Sequence, residues 1–327
     1  MQRRDFITAG ALAACGASLA GGAWAQSGYP ARPVRMVVPF PPGGPTDVMG
    51  RTAAKAMGER LGQQFVVENK AGAGGNIGTD FVAKAAPDGY TIGLAAISSL
   101  AIAPHLYASL PFNVEKDLLP ISLVGTTPCA LVIHPGAPFS DLAGMVAHAK
   151  ANPGRLSYAT SGIGTSNHLA AELLQSVAGI ALTNVPYKGS SQIVPDLLAG
   201  TVPMSMESSL ATTLQHVRAG KLKAIAVTSP QRAKALPDVP TVAESGYPGF
   251  EVETWFGLVA PAGTPQAVVI QLHDAWEAGA RTPQAQAAFD NISGNLRVNT
   301  PQQFADFIRA ENRRWGGLIR QLGLKAD

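Results

Sequence analysis

Cysteine is nearly absent: Cys15 and Cys129 are the only two in the chain. Cys15 falls in a segment that reads as a cleaved leader, so a single thiol would remain. One thiol cannot close an internal disulfide, and the fold must stand on its core alone. Charge imbalance is missing too. Against 25 Lys and Arg stand 22 Asp and Glu, a net charge of +3. Loss of Arg3, Arg4 and Asp5 with the leader makes it +2. That balance gives no ground for nucleic-acid binding or for attraction to a membrane surface. After the leader, no apolar run of about 18 residues escapes interruption by charge, Pro or Gly, so no transmembrane span is expected. No cluster of His, Cys and carboxylates at ligand spacing points to a metal, and no cofactor is implied.

The leader is "QRRDFITAGALAACGASLAGGAWAQ", Gln2 to Gln26. Twin arginines precede an apolar run of small residues, and Ala23-Trp24-Ala25 forms a small-x-small cleavage site. An export signal of the twin-arginine type, cleaved after Ala25, leaves 327 − 25 = 302 residues. A lipoprotein site in "LAAC", ending at Cys15, is the weaker alternative because it leaves a very short apolar region. The expected location is periplasmic, and the length suggests about two domains.

Strand-like and helix-like stretches alternate along the rest. "VRMVVPF" (Val34–Phe40), "QFVVENK" (Gln64–Lys70) and "YTIGLAA" (Tyr90–Ala96) read as strands. Between them lie a helix over Thr46–Gly62 and a Gly-rich loop entering a second helix before Gly89. This βαβαβ order predicts a mostly parallel sheet covered by helices. After a crossing segment the pattern repeats, from "CALVIHP" at Cys129–Pro135 through "KLKAIAVTS". "ETWFGLVAPAG" then returns the chain, and helices close it around Gln266–Ala280 and Pro301–Leu322. The reading is an α/β fold of two lobes with two chain crossings: residues 30–127 plus 258–327 form one lobe and 128–257 the other.

The strand ends share an unusual composition. In "VVPFPPGGPTDVMGR" six of the seven positions from Pro39 to Pro45 are Pro or Gly, and a helix opens at once. "NKAGAGGNIG", "AISS", "SGIGTSNH" and "YKGSS" follow four other predicted strands. In open α/β sheets that edge is the ligand side. Glycine lets backbone N–H groups approach a ligand, Ser and Thr add hydroxyls, and a helix start adds partial positive charge worth roughly 0.3–1 kcal/mol. Two such loops facing each other could hold a carboxylate without any cation. Any one alone would more often be a plain turn; their agreement makes the signal. "GAGGNIG" fits a dinucleotide fingerprint poorly, and no Lys completes a phosphate loop.

These motifs resemble the Bug-type receptors, the TctC-like extracytoplasmic solute-binding components of tripartite tricarboxylate transporters. The resemblance rests on "YPARPVRMVVPFPPGGPTDVMGR", "VVENKAGAGGNIGTDFVAKAAPDGYTI", "LSYATSGIGTSNHLAAELL", "VPYKGSSQIVPDLLAG" and "GKLKAIAVTSPQRAKALPDVPTVAESGYPGFEVETWFGLVAPAGTP", nearly the whole mature chain. It implies a type II periplasmic-binding-protein fold, a Venus flytrap that closes on a small organic carboxylate and hands it to membrane permease subunits. Carried over position by position, it places Phe40, Gly43, Gly44, Thr46 and Asp47 at the ligand. From the second lobe it places Ser161, Gly162, Thr165, Ser166 and His168, then Tyr187, Lys188 and Gly189. Two departures stand out. Gly189-Ser190 replaces the family's frequent Gly-Gly. Met206-Glu207 stands where an aromatic and Asp are usual, so Glu207 is expected to reach into the cleft and disfavour a second carboxylate.

Gly75, Asn76, Ser98 and Trp255 complete the candidate ligand set, Trp255 as a core aromatic that could also wall the cleft. Asp47 is as well suited to satisfying N–H groups of the first helical turn as to shaping the loop. Lys188 reads as a solvated loop cation with a lesser claim on ligand, and Cys129 as a small buried hydrophobe. "SGIGTS" is not the G-x-S-x-G elbow, and nothing in the spacing assembles Ser161, His168 and Asp196 or Glu207 into a triad. The chain reads as a binder, not an enzyme, with a periplasmic hydrolase using Ser161 and His168 as the remote alternative. A ligand-sensing receptor for a signalling partner is the nearer one. The oligomeric default is a monomer.

Overall fold

The computed structural model describes residues 28–326; the expected leader, its cleavage site and Cys15 lie outside them. The described chain builds two sheets. The first has the order β11-β4-β10-β3-β1-β2. Its strands are β1 (Val34–Val38), β2 (Phe65–Asn69), β3 (Thr91–Ala96), β4 (Leu118–Pro128), β10 (Glu253–Pro261) and β11 (Asn295–Leu296). The second has the order β7-β6-β8-β5-β9. It is made of β5 (Ala130–Ile133), β6 (Ser157–Thr160), β7 (Thr183–Pro186), β8 (Met204–Glu207) and β9 (Lys223–Val227). The longer helices are α1 (Pro45–Leu61), α2 (Asn76–Ala83), α3 (Leu142–Ala151), α4 (Ser166–Ala178), α5 (Gln266–Ala280), α6 (Pro283–Asn291) and α7 (Pro301–Leu322). No helix among the described residues is long and apolar enough to cross a membrane.

The expected βαβαβ unit is present: β1 pairs in parallel with both β2 and β3. The sheet is mixed rather than mostly parallel, because β10 runs antiparallel to both β3 and β4. Strand β4 is the main element the sequence pattern did not announce. "LLPISLVGTTP" contains Pro120 and Gly125, which usually speak against a central strand. Two register shifts against β10 absorb them. Gly125 is required by packing, since a Cβ there would meet Phe289 at 2.4 Å.

The chain passes between the sheets twice. It crosses at Cys129, between β4 and β5, and again between β9 and β10. The two passages are tied together by Thr228 N–H on the Cys129 carbonyl (2.9 Å) and Val252 N–H on the Thr228 carbonyl (3.0 Å). Helices α5 and α7 return to the first sheet. α5 lies so close to α1 that a Cβ on Gly279 would come within 2.4 Å of Ala56. Trp276, Trp315, Phe256, Phe289 and Phe304 are fully buried in that lobe. α7 opens with a capping box between Thr300 and Gln303 and ends on Gly323 in the left-handed conformation, the favoured start and stop for a helix.

Candidate functional site

The loop after β1 is held by one carboxylate. Asp47, in the first turn of α1, accepts from the Gly43 N–H (3.0 Å), from Arg51 Nε (2.9 Å) and from Asn69 Nδ2 (2.9 Å). Asn69, at the end of β2, also donates to the Phe40 carbonyl at 2.9 Å. Burial alone would raise the Asp47 pKa, but the bonds from Arg51, Asn69 and Gly43 outweigh it and hold the carboxyl below its ordinary value. Asp47 therefore shapes the loop. The N-cap of α1 is Gly44, which offers no capping side chain, and Pro45 has no N–H. The N–H groups of Thr46 and Asp47 thus stay without intrahelical partners.

A second helix start faces the same space. Thr165 caps α4, accepting from the His168 N–H at 3.4 Å while its hydroxyl donates to the Gly162 carbonyl at 2.6 Å. The N–H groups of Ser166 and Asn167 remain free of helix bonds. Ser161 donates to Asn167 Oδ1 (2.8 Å), and Asn167 Nδ2 donates to the Met206 carbonyl (2.6 Å). That pair fastens the loop to β8. Gly162 and Gly164 have φ of 133° and 75°, which a side chain would resist.

Between these two helix starts lies a narrow cavity of about 20 Å³. Phe40, Pro41, Gly44 and Thr46 line it from the first lobe with Ser98, Thr254 and Phe256. Ser161, Thr165, Ser166, Gly189, Ser190, Ser191 and Ser208 line it from the second. Nine of the seventeen lining residues are Ser or Thr, and none is charged. The lobes meet around it. A Cβ on Gly74 would lie 2.9 Å from the Ile163 carbonyl, and one on Gly189 would lie 2.6 Å from the Pro41 ring. Ser166 and Thr254, from opposite lobes, share a 2.5 Å hydroxyl contact.

Of the candidate residues, Phe40, Gly44, Thr46, Ser98, Ser161, Thr165, Ser166 and Gly189 thus come together in one wall. The others stand behind it. Gly43 and Asp47 set the loop, and Gly75 leaves room for Phe40, whose ring would be 3.3 Å from a Cβ there. Asn76 is buried at the start of α2, its Oδ1 without a partner. Gly162 shapes its own turn. Ser98 donates to the Gly74 carbonyl at 2.6 Å and ties two first-lobe loops together.

His168 faces its own loop. Its Nδ1 accepts from the Gly164 N–H (3.3 Å), and its Nε2 lies 3.7 Å from Glu172. Burial keeps the ring below its ordinary pKa against the pull of Glu172, which suits the acceptor role. Ser161 and His168 are each engaged elsewhere and form no nucleophile–base pair. Tyr187 donates to Asp196 at 2.6 Å; burial and that acid push its hydroxyl pKa up to about 12. Lys188 is exposed and outside the cavity wall.

Trp255 and Glu207 depart from expectation. Successive side chains on a strand point to opposite faces. Phe256 lines the cavity, and Trp255 turns instead into the core, where it packs edge-on against Phe304 and Phe307 and donates to Glu311 at 2.8 Å. Glu207 does not reach into the cleft. It is fully buried on β8, one layer behind the wall, so the expected repulsion of a second carboxylate by a cleft-lining acid loses its premise. Thr254 and Ser208 were not among the candidates; only the pairing of distant segments brings them in.

The described residues contain one group with metal-ligand geometry, His273, Asp274 and Glu277 on α5. Its members are already paired, His273 with Asp274 at 3.0 Å and Glu277 with Arg281 at 2.6 Å. Cys129 is buried at the chain crossing, where desolvation pushes its thiol up to about 11, an inert state.

Comparison with known proteins agrees with this geometry. The family profile described as "Tripartite tricarboxylate transporter family receptor" matches residues 49–324. The protein BugT of Bordetella pertussis is 42% identical over 298 residues, 91% of each chain. Among solved structures, an R. palustris protein with adipate superposes at a TM-score of 0.87, with 32% identity over 91% of this chain and 99% of that one. MatC from Rhodopseudomonas palustris with bound malate gives a TM-score of 0.83, with 30% identity over 89% of this chain and 100% of that one.

Proposed function

The chain belongs to the tripartite tricarboxylate transporter receptor family, and from that premise we propose that it captures a small organic carboxylate in the periplasm and delivers it to the permease subunits of such a transporter. One observation carries the reading: a charge-free, hydroxyl-rich cavity onto which two uncapped or part-capped helix starts open from opposite lobes. A carboxylate placed there would accept from the free N–H groups of Thr46 and Ser166 and from the surrounding hydroxyls. Such charge-assisted hydrogen bonds are roughly twice as strong as neutral ones. The relatives with adipate and malate support a linear acid that fits a narrow slot.

Ligand contacts to both lobes favour the form in which the lobes meet, so binding shifts an open–closed equilibrium by its differential affinity. The moving bodies are the lobes built on the two sheets, residues 30–128 with 253–327 and residues 130–252, the second boundary falling five residues before the expected 258 because β10 pairs within the first sheet. The passages at Cys129 and just before β10 form the hinge. The lining hydroxyls have no imidazole, amine or carboxylate beside them in the cavity wall to act as a base. The test is calorimetry against a panel of aliphatic di- and tricarboxylates, hydroxy acids and aromatic acids. Adipate-like and malate-like acids are expected to bind, and silence across the panel would sink the reading.

A further inference from the structure

Glu207 is the least explained group in the molecule. It sits at the end of β8, wholly inaccessible to solvent, and neither carboxylate oxygen has a hydrogen-bond partner. A buried polar group without partners costs far more when charged than when neutral. The two polar side chains that act on it are the hydroxyls of Ser205 and Ser190. Ser205 lies on the same face of β8, and its hydroxyl too is unpartnered. Ser190 is different, because it lines the cavity and its Oγ lies 3.2 Å from the Ser208 hydroxyl, which lines the cavity as well. Glu207 is thus one hydroxyl away from the ligand space.

The elements packed around it bring no compensating charge. β5 places Ala130 opposite Glu207, and β6 contributes Ala159 opposite Ser205. Tyr158 on β6 bonds Glu172. Asp196, on the helix that follows Ser190, is taken by Tyr187. On α4, His168 and Glu172 face each other. Cys129 next to β5 is an uncharged thiol. No cation and no second carboxylate among the described residues acts on Glu207. Burial raises its pKa, the Ser205 and Ser190 hydroxyls offset only part of the rise, and the carboxyl is left pushed up to about 7.

We infer that Glu207 is a proton-binding site linked to the anion cavity: the receptor takes up a proton on this carboxyl as it takes its ligand, and Ser190 is the hydroxyl through which the two communicate. Two physical effects act in the same direction. An ionised Glu207 is an uncompensated negative charge behind a wall that contains no charged residue, so it repels an anion in the cavity. It also pulls the single hydrogen of the nearby Ser190 hydroxyl toward itself and away from the ligand side. Protonated Glu207 exerts no such pull, and the Ser190 hydrogen is free to point forward. Linkage requires the converse: a bound anion raises the proton affinity of Glu207.

The inference rests on the anion-binding reading, and the experiment separates the two. Adipate and malate are titrated into the full mature chain at pH 6, 7.5 and 8.5, each in two buffers of different ionisation heat. At pH 7.5 the wild type should absorb a measurable fraction of a proton per ligand, and its affinity should fall about tenfold between pH 6 and 8.5. Glu207→Gln should bind with a flat pH profile and no proton uptake. Ser190→Ala, should the first variant fail to fold, should lose part of the pH dependence. Binding without proton uptake, or with the same uptake in Glu207→Gln, overturns the linkage and leaves the anion reading standing. Absence of binding by the wild type at every pH removes both.

Discussion

An alanine at position 189 would bring its Cβ to 2.6 Å from Cδ and 3.0 Å from Cγ of Pro41. The two residues belong to opposite lobes. The backbone at Gly189 is extended, with φ of 168°, a conformation any residue adopts, so the substitution adds no strain within the second lobe. Carbon atoms need about 3.5–4 Å, and a proline ring cannot swing aside, so the jaws must part by about 1 Å at this point. Overpacking a tight contact costs about 1–3 kcal/mol. Here the cost falls only on the form in which the lobes meet, and it corresponds to roughly 5- to 150-fold weaker binding. The assay is calorimetric titration with an acid that binds the wild type, paired with thermal unfolding of the ligand-free protein. Ligand-free stability should move by less than about 0.5 kcal/mol. Wild-type affinity in Gly189→Ala would refute the reasoning, and so would a clear loss of ligand-free stability, which would make the contact part of the resting fold.

Asp47→Ala removes the acceptor shared by Gly43, Arg51 and Asn69, and should weaken acid binding about tenfold or more; unchanged affinity would mean that the prolines hold the loop unaided. Because the folded pKa of Asp47 is depressed, its contribution is whole above the ordinary Asp pKa and lost as pH falls through the depressed one. Wild type and variant should therefore converge in stability under acid, as read from unfolding midpoints. Trp255→Phe deletes the indole bond to Glu311 and should cost about 1–2 kcal/mol in denaturant unfolding, with acid affinity intact. A loss of affinity without loss of stability would put Trp255 back at the cleft.

Much of the fold was legible because the two periodicities are clean in the helices and strands of each βα unit. Helices α5 and α7 fall at Gln266–Ala280 and Pro301–Leu322, as the sequence pattern suggests, while α6 (Pro283–Asn291) between them was not foreseen. β4 was not legible, since Pro120 and Gly125 are tolerated through bulges and close packing that only the partner strand reveals. The part of the site made of strand-end loops could be read from composition, because Pro, Gly, Ser and Thr there have a local reason. Thr254 and Ser208 could not, for they are ordinary residues until two chain passages bring them beside Ser166 and Ser190. Glu207 misled for a related cause: side-chain length says how far a group can reach, but strand pairing decides which way it faces.

If the uncharged wall grips its ligand with dipoles alone, as proposed, capture has a kinetic signature. With no charged side chain in its lining, the cavity has no built-in cation to draw anions from a distance, and encounter is expected to proceed at the pace of plain diffusion and docking. Dissolved electrolyte has little to screen, and both the rate of capture and the tightness of hold should stay nearly level from dilute buffer to brine. Inorganic ions gain no foothold from charge alone, which leaves the slot's shape to decide who enters.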